Sequence, residues 1–148
     1  MRAACARGEM GHGRQRRMKR FEVSLPCVTL FGVPVHAVTM AQALDVVDAA
    51  IARREALQIG VVNAAKVVNM RRTPMLREDV LASDLILADG IAVVWASRLL
   101  GQPLPARVTG IDLMSGMLER GNTRGYAVYC LGAEEEISAK VAAKIREF

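Results

Sequence analysis

The chain has 148 residues, 52% of them hydrophobic and only 4% aromatic, with a formal net charge of +5. That length and a mean hydropathy of +0.22 exclude a disordered chain and fit one domain whose core is filled by Ala, Val, Leu, Ile and Met. The charge is unevenly placed: residues 1–20 carry seven Lys or Arg against Glu9, whereas the other 128 residues carry 13 basic and 14 acidic side chains.

Residues 1–20 therefore read as a basic, disordered tail, and residues 21–148 as a near-neutral folded body. A basic tail without interleaved aromatics does not make a nucleic-acid-binding protein. Cys5, Cys27 and Cys130 show no CxxC spacing, and His12 and His36 are the only histidines. No zinc constellation can be assembled from them, and reduced thiols in a cytoplasmic protein are the expectation. The uncharged stretch from Val23 to Leu44 follows the basic tail as a secretion signal would. Pro26, Gly32, Pro34, His36 and Gln42 interrupt it too often for that reading.

Along the chain, strand and helix signals alternate. Val28–Phe31 reads as a short strand, and Gly32-Val33-Pro34-Val35 as a turn into a second extended piece. Thr39 is placed to cap a helix over Met40–Glu55, where Ala43, Leu44, Val47, Ala50 and Ile51 recur at helical spacing. Ile59–Val62 is an apolar strand closed by Asn63, and Ala64–Arg71 is helical. Thr73 and Pro74 open a further helix over Met75–Ala82, Thr as cap and Pro in the first position. Leu85–Ala88 is the clearest strand and ends at Asp89-Gly90. Ile91–Leu100 is an apolar helix, with Trp95 expected in the core. Gly110 opens a helix to about Arg120, Tyr126–Leu131 is a strand stopped by Gly132, and Glu134–Phe148 begins a helix rich in acids in its first turn. The pattern predicts an α/β fold: a Rossmann-like parallel sheet with helices on both faces, incomplete at the C-terminus.

In open α/β sheets, ligands bind beyond the carboxyl ends of the strands. Asn63, Asp89 and Gly132 each follow a strand directly. Asp89 has two readings: a carboxylate in the crevice that accepts a proton from a hydroxyl, or a cap for the helix after it. Arg107, just before a helix, either grips a phosphate together with free backbone N–H groups or is simply solvated, and Asp112 is a first-turn acid. The turn at Gly132-Ala133 suits a phosphate approach, but GxGxxG, GxxxxGK[ST] and GxSxG are all absent. A small Rossmann-type oxidoreductase is accordingly disfavoured.

The ordered set Phe31-Gly32-Val33-Pro34-Val35, Asn63-Ala64-Ala65-Lys66-Val67-Val68, Ser83-Asp84-Leu85-Ile86-Leu87-Ala88-Asp89-Gly90, Arg107-Val108-Thr109-Gly110-Ile111-Asp112-Leu113 and Tyr129-Cys130-Leu131-Gly132-Ala133 resembles the WecG/TagA/CpsF glycosyltransferases. The segment Ala96–Leu104 between them shares the resemblance, which runs from about Leu30 to Phe148. It implies an inverting transfer of a sugar from a UDP-sugar donor, of UDP-N-acetylmannosamine or UDP-glucose type, to a polyprenyl-diphosphate-linked acceptor at the membrane surface. It implies no metal and no cofactor. Asp89 takes the place of the family's general base, and Asn63 that of its active-site asparagine. Arg107, Gly110 and Asp112 fall in its substrate segment, and Gly132 at its nucleotide turn. Val61 stands where the family has a threonine. The family's further strands and basic membrane-associating part have no counterpart in this sequence. A truncated domain follows as an expectation, an inactive nucleotide-binding fragment as the alternative, and self-association through uncovered apolar surface as a consequence.

Overall fold

The structure, a computed structural model, describes residues 2–4, 18–132 and 134–146. In chain order the elements are β1 (Arg2–Ala4), β2 (Cys27–Leu30), β3 (Val33–His36), α1 (Met40–Arg53), β4 (Ile59–Val62) and α2 (Ala64–Arg72). There follow α3 (Pro74–Leu81), β5 (Leu85–Ala88), α4 (Ile91–Leu99), α5 (Gly110–Arg124), β6 (Ala127–Tyr129) and α6 (Glu135–Ile145). They group into two compact units, residues 17–113 and residues 1–16 with 114–148.

The larger unit is built on β4 and β5, which pair in parallel from Ile59↔Leu85 to Val62↔Ala88. All four residues of β5 are buried, so both of its faces are covered, as its uninterrupted apolar sequence requires. Val62, Ile86 and Ala88 share one core with Val67 and Met70 of α2, Val80 of α3, Val93 and Val94 of α4, and Leu30, Val33 and Val35 of the β2–β3 hairpin. The expected α/β architecture is therefore present, with a small parallel sheet.

Sequence chemistry explains the joints. Thr39 and Gln42 form a reciprocal capping box: the Gln42 N–H donates to Thr39 Oγ1 (3.4 Å) and the Thr39 N–H to Gln42 Oε1 (2.9 Å). The hairpin is closed by Phe31 and Gly32 at φ 54° and 73°, the pair of positive values that matches strand twist in a tight turn. Glycine takes that conformation freely, but a bulky aromatic does not. Arg77 of α3 pins the turn by donating from Nη2 to the Gly32 carbonyl (2.9 Å).

The edge of β5 turned away from β4 is satisfied in an unusual way. The Leu85 and Asp89 N–H groups bond toward β4, to Gln58 O (3.2 Å) and Val62 O (2.9 Å). Alternation turns Ile86 and Ala88 to the opposite edge, beside β3. There the Ile86 N–H donates to His36 Nδ1 (3.0 Å), and the Ala88 carbonyl accepts from the Val108 N–H (2.9 Å). A side chain of β3 thus replaces a strand partner. That bond needs an unprotonated Nδ1, and burial pushes the His36 pKa below its ordinary 6.5 despite an opposing contribution from the Ile86 carbonyl. Since the unfolded chain protonates first, this contribution to stability is complete above about pH 6.5 and declines as pH falls through the depressed folded value. We expect the urea midpoint to fall between pH 7 and pH 5, and to fall less in His36→Asn, whose amide oxygen accepts the same bond without titrating. Equal declines in both proteins would show that His36 is not responsible.

Lys19 and Arg20, counted above with the basic tail, are held by the larger unit. Lys19 pairs with Glu55 (3.0 Å), and Arg20 bonds Asp84 (Nε to Oδ1, 2.9 Å) and the Ala82 carbonyl (2.6 Å). Burial pushes the Asp84 carboxyl up, but the Arg20 hydrogen bond and charge, with the Gln58 N–H, bring it below its usual value. Cys5 and His12 lie outside the described residues.

Three local expectations are corrected. Trp95 is 63% exposed rather than in the core, because Val93, Val94 and Ser97 are the buried side of α4. Thr73 does not cap α3 with its side chain; its N–H donates to Asn69 O (2.9 Å) and closes α2. The helix from Gly110 runs one turn further, to Arg124.

In the smaller unit, β1 pairs in parallel with β6, from Arg2↔Ala127 to Ala4↔Tyr129. α6 begins with Glu135 and Glu136 in its first turn and buries Ser138, Ala142 and Ile145.

Candidate active site

The register Val62↔Ala88 brings the next residues of the two parallel strands, Asn63 and Asp89, side by side at the carboxyl edge. A Cβ added at Gly90 would lie 3.8 Å from Asn63 Cβ, so the residue after Asp89 also adjoins Asn63. Asn63 caps α2: its Oδ1 accepts from the Lys66 N–H (2.8 Å). Its amide NH2 makes no hydrogen bond among the described residues. One asparagine carries both an acceptor and donors, so capping α2 leaves its donors unused.

For Asp89 the two readings separate. The cap position of α4 is Gly90, at φ 118°, and no side chain makes a cap bond there. Asp89 is half-buried, and among the described residues no group donates to its carboxylate. The acid is therefore uncommitted, in contrast to Asp84 at the other end of the same strand, which is engaged by Arg20 and the Gln58 N–H.

The segment from Arg107 to Asp112 is drawn to this edge by its backbone. The bond from Val108 to Ala88 sets the buried Val108 beside the end of β5. Gly110 lies against β4, where an added Cβ would stand 3.6 Å from Val61 Cγ1. The residue in the family's threonine position thus packs against the start of α5. Thr109 Oγ1 accepts from the Asp112 N–H (3.1 Å), and Arg107 Nη2 lies 3.7 Å from Asp112 Oδ2, both side chains more than half exposed. So open an ion pair is weak and easily exchanged for a ligand oxygen.

The structure sets Asn63 and Asp89 side by side, and it holds the segment that carries Arg107, Gly110 and Asp112 against the same two strands through Val108 and Gly110. Gly132 belongs to the smaller unit, where it adopts φ 109° and its carbonyl accepts from Ser138 Oγ (2.7 Å). Three helices, α2, α4 and α5, start at the edge beside Asp89, each presenting unpaired N–H groups and the positive end of its dipole. Sequence reasoning missed an apolar cavity of about 270 Å³ between α2 and α4, roofed at one side by Phe31. Among the described residues no cluster of His, Cys, Asp or Glu could hold a metal ion.

A carboxylate without a partner among the described residues, at the carboxyl edge of a parallel strand pair, lies where open α/β sheets bind their ligands. The chain belongs to the glycosyl transferase WecG/TagA/CpsF family, whose model matches residues 28–148. It is also similar to the N-acetylglucosaminyldiphosphoundecaprenol N-acetyl-beta-D-mannosaminyltransferase of Bacillus spizizenii, with 37% identity over 70 residues. That stretch is 47% of this chain and 27% of the relative's length.

Proposed function

We propose that this chain transfers a sugar from a UDP-sugar to a polyprenyl-diphosphate-linked sugar, with inversion, in the synthesis of a bacterial surface polysaccharide. The observation that carries the reading is the free Asp89 carboxylate at the end of β5 among three helix starts. Asp89 removes the proton from an acceptor hydroxyl as that oxygen bonds to the anomeric carbon. The bond from that carbon to the UDP oxygen breaks on the opposite face, and its electron pair leaves with the diphosphate. Helix-start N–H groups stabilise the growing negative charge. Arg107, released from Asp112, adds a charge-assisted bond to the same phosphates. The Asn63 amide orients the acceptor or the donor sugar beside Asp89. The relative's name, which specifies a diphosphoundecaprenol-linked N-acetylglucosamine, supports an acceptor of that kind. None of the described helices is long and apolar enough to cross a membrane, so work on a lipid-linked acceptor calls for docking at the cytoplasmic membrane surface.

The test is acceptor-dependent release of UDP from UDP-N-acetylmannosamine and UDP-glucose, with a short-chain lipid-diphosphate N-acetylglucosamine as acceptor. Release with one donor is the expected result. Binding of UDP without any acceptor-dependent release would instead identify a nucleotide-binding fragment, and tight binding of NAD would favour oxidoreductase chemistry.

A further inference from the structure

We propose that the outer side of α4, with the adjoining side of α2, docks this chain onto an anionic lipid bilayer. This inference rests on the glycosyltransferase reading above, because a lipid-linked acceptor is met at a membrane surface.

α4 is apolar almost all the way round. Of its nine residues only Ser97 and Arg98 are polar. Ser97 Oγ is engaged inside, donating to the Val94 carbonyl (2.7 Å) and accepting from the Leu104 N–H (3.0 Å). A helix of that kind is ordinarily covered on every side. Val93, Val94 and Ser97 are buried, yet Ile91, Trp95 and Leu99, each four residues on, are 49%, 63% and 89% exposed. Four-residue spacing sets these three on one side as a stripe about 12 Å long, at 1.5 Å per residue. The apolar cavity between the helices is lined by Ala92 and Ala96 of α4 and by Ala64, Val68 and Arg71 of α2. The two helices therefore share one continuous surface, to which the exposed Val68 adds apolar area.

Charge selects the occupant. α2 and α4 together carry Lys66, Arg71, Arg72 and Arg98, and neither helix has an acidic residue. Exposed aliphatic and aromatic side chains bordered by cations are the composition of a segment that lies among anionic headgroups. Tryptophan is itself enriched at the membrane–water interface. Two copies of this chain meeting through the same side would oppose like charges, which works against a dimer there. The stripe also starts near the candidate site, since Ile91 is the second residue after Asp89. Docking along α4 thus keeps the candidate base close to the lipid surface.

Trp95 is the only tryptophan of the chain, so its fluorescence reports on this surface directly. The whole chain is titrated with vesicles of phosphatidylglycerol and phosphatidylcholine in equal parts, and with phosphatidylcholine alone. Trp95 emission is expected to move to shorter wavelength on the mixed vesicles, which bind at least about tenfold more tightly than phosphatidylcholine. Leu99→Glu, at a residue too exposed to matter for folding, should weaken that binding by at least about tenfold. Arg71→Gln and Arg72→Gln together should weaken it by about twentyfold, near fivefold for each cation lost close to an anionic surface. Arg54→Gln removes one charge from the end of α1 and should bind like wild type.

Vesicle binding with unchanged Trp95 emission would assign the contact to the basic residues 1–20 and overturn the proposal. So would wild-type binding by Leu99→Glu, or a shift that grows with protein concentration without vesicles, the mark of a second copy on this side. Transfer assays with a water-soluble, short-chain acceptor separate the two readings. Transfer without vesicle binding rejects the docking side alone. A Trp95 shift on vesicles without transfer to any acceptor keeps the docking side and rejects the glycosyltransferase reading.

Discussion

Asp89→Asn is expected to lower acceptor-dependent UDP release by at least about a hundredfold, the range in which a positioned general base contributes. The substitution keeps the shape of the side chain and removes only its basicity. It disturbs no internal partner, since no described residue donates to Asp89 and the cap of α4 is Gly90. The unfolding free energy should accordingly stay within about 0.5 kcal/mol of wild type. Asp112→Asn is the matched control. It loosens a 3.7 Å pair between exposed side chains and is expected to change stability by less than about 1 kcal/mol. It should affect the donor KM more than kcat, as Arg107 loses its resting partner. Wild-type turnover by Asp89→Asn would remove the carboxylate from the mechanism.

The parts of this site that the sequence announced are those where a strand ends abruptly. β4, α2 and β5 were legible almost to the residue because short apolar runs meet Asn63 and Asp89-Gly90, where side-chain polarity and backbone freedom change together. The convergence of Arg107 to Asp112 on the same edge came from motif order, and its physical cause appears only in space. It is a single backbone bond from Val108 to Ala88, and close packing of Gly110 on Val61.

Other features depend on long-range pairing and left no local mark. His36 reads as one polar residue in an apolar stretch, yet it substitutes for a strand at the edge of β5, 50 residues away. Phe31 reads as the end of a strand, and its positive φ follows from hairpin closure and the Arg77 anchor. Trp95 has helical spacing, but spacing alone does not decide which side of an apolar helix faces inward. On α4 the smaller Val93, Val94 and Ser97 fit against β5, and the tryptophan is left outside.

That contrast yields the second large expected effect. Leu87 is completely buried in β5, on the face opposite Ile86 and Ala88. Leu87→Ala removes methyl groups from a site with no water to replace them, and is expected to cost about 2–5 kcal/mol. For a domain whose whole stability is on the order of 5–15 kcal/mol, this is a major loss, readable as a lower urea midpoint. Trp95→Ala removes a much larger side chain but one already 63% exposed, so its cost should stay near 0.5 kcal/mol, on the order of an ordinary surface change. Volume removed and stability lost therefore run in opposite directions. Activity should separate in the same way by cause. Leu87 lies two residues from Asp89 on the same face of the strand, so relaxation around the new cavity shifts the base and lowers kcat at temperatures where the protein is still folded. Trp95→Ala leaves Asp89 in place and should leave kcat unchanged. If Trp95→Ala instead destabilises the chain as much as Leu87→Ala, that surface of α4 is covered in solution.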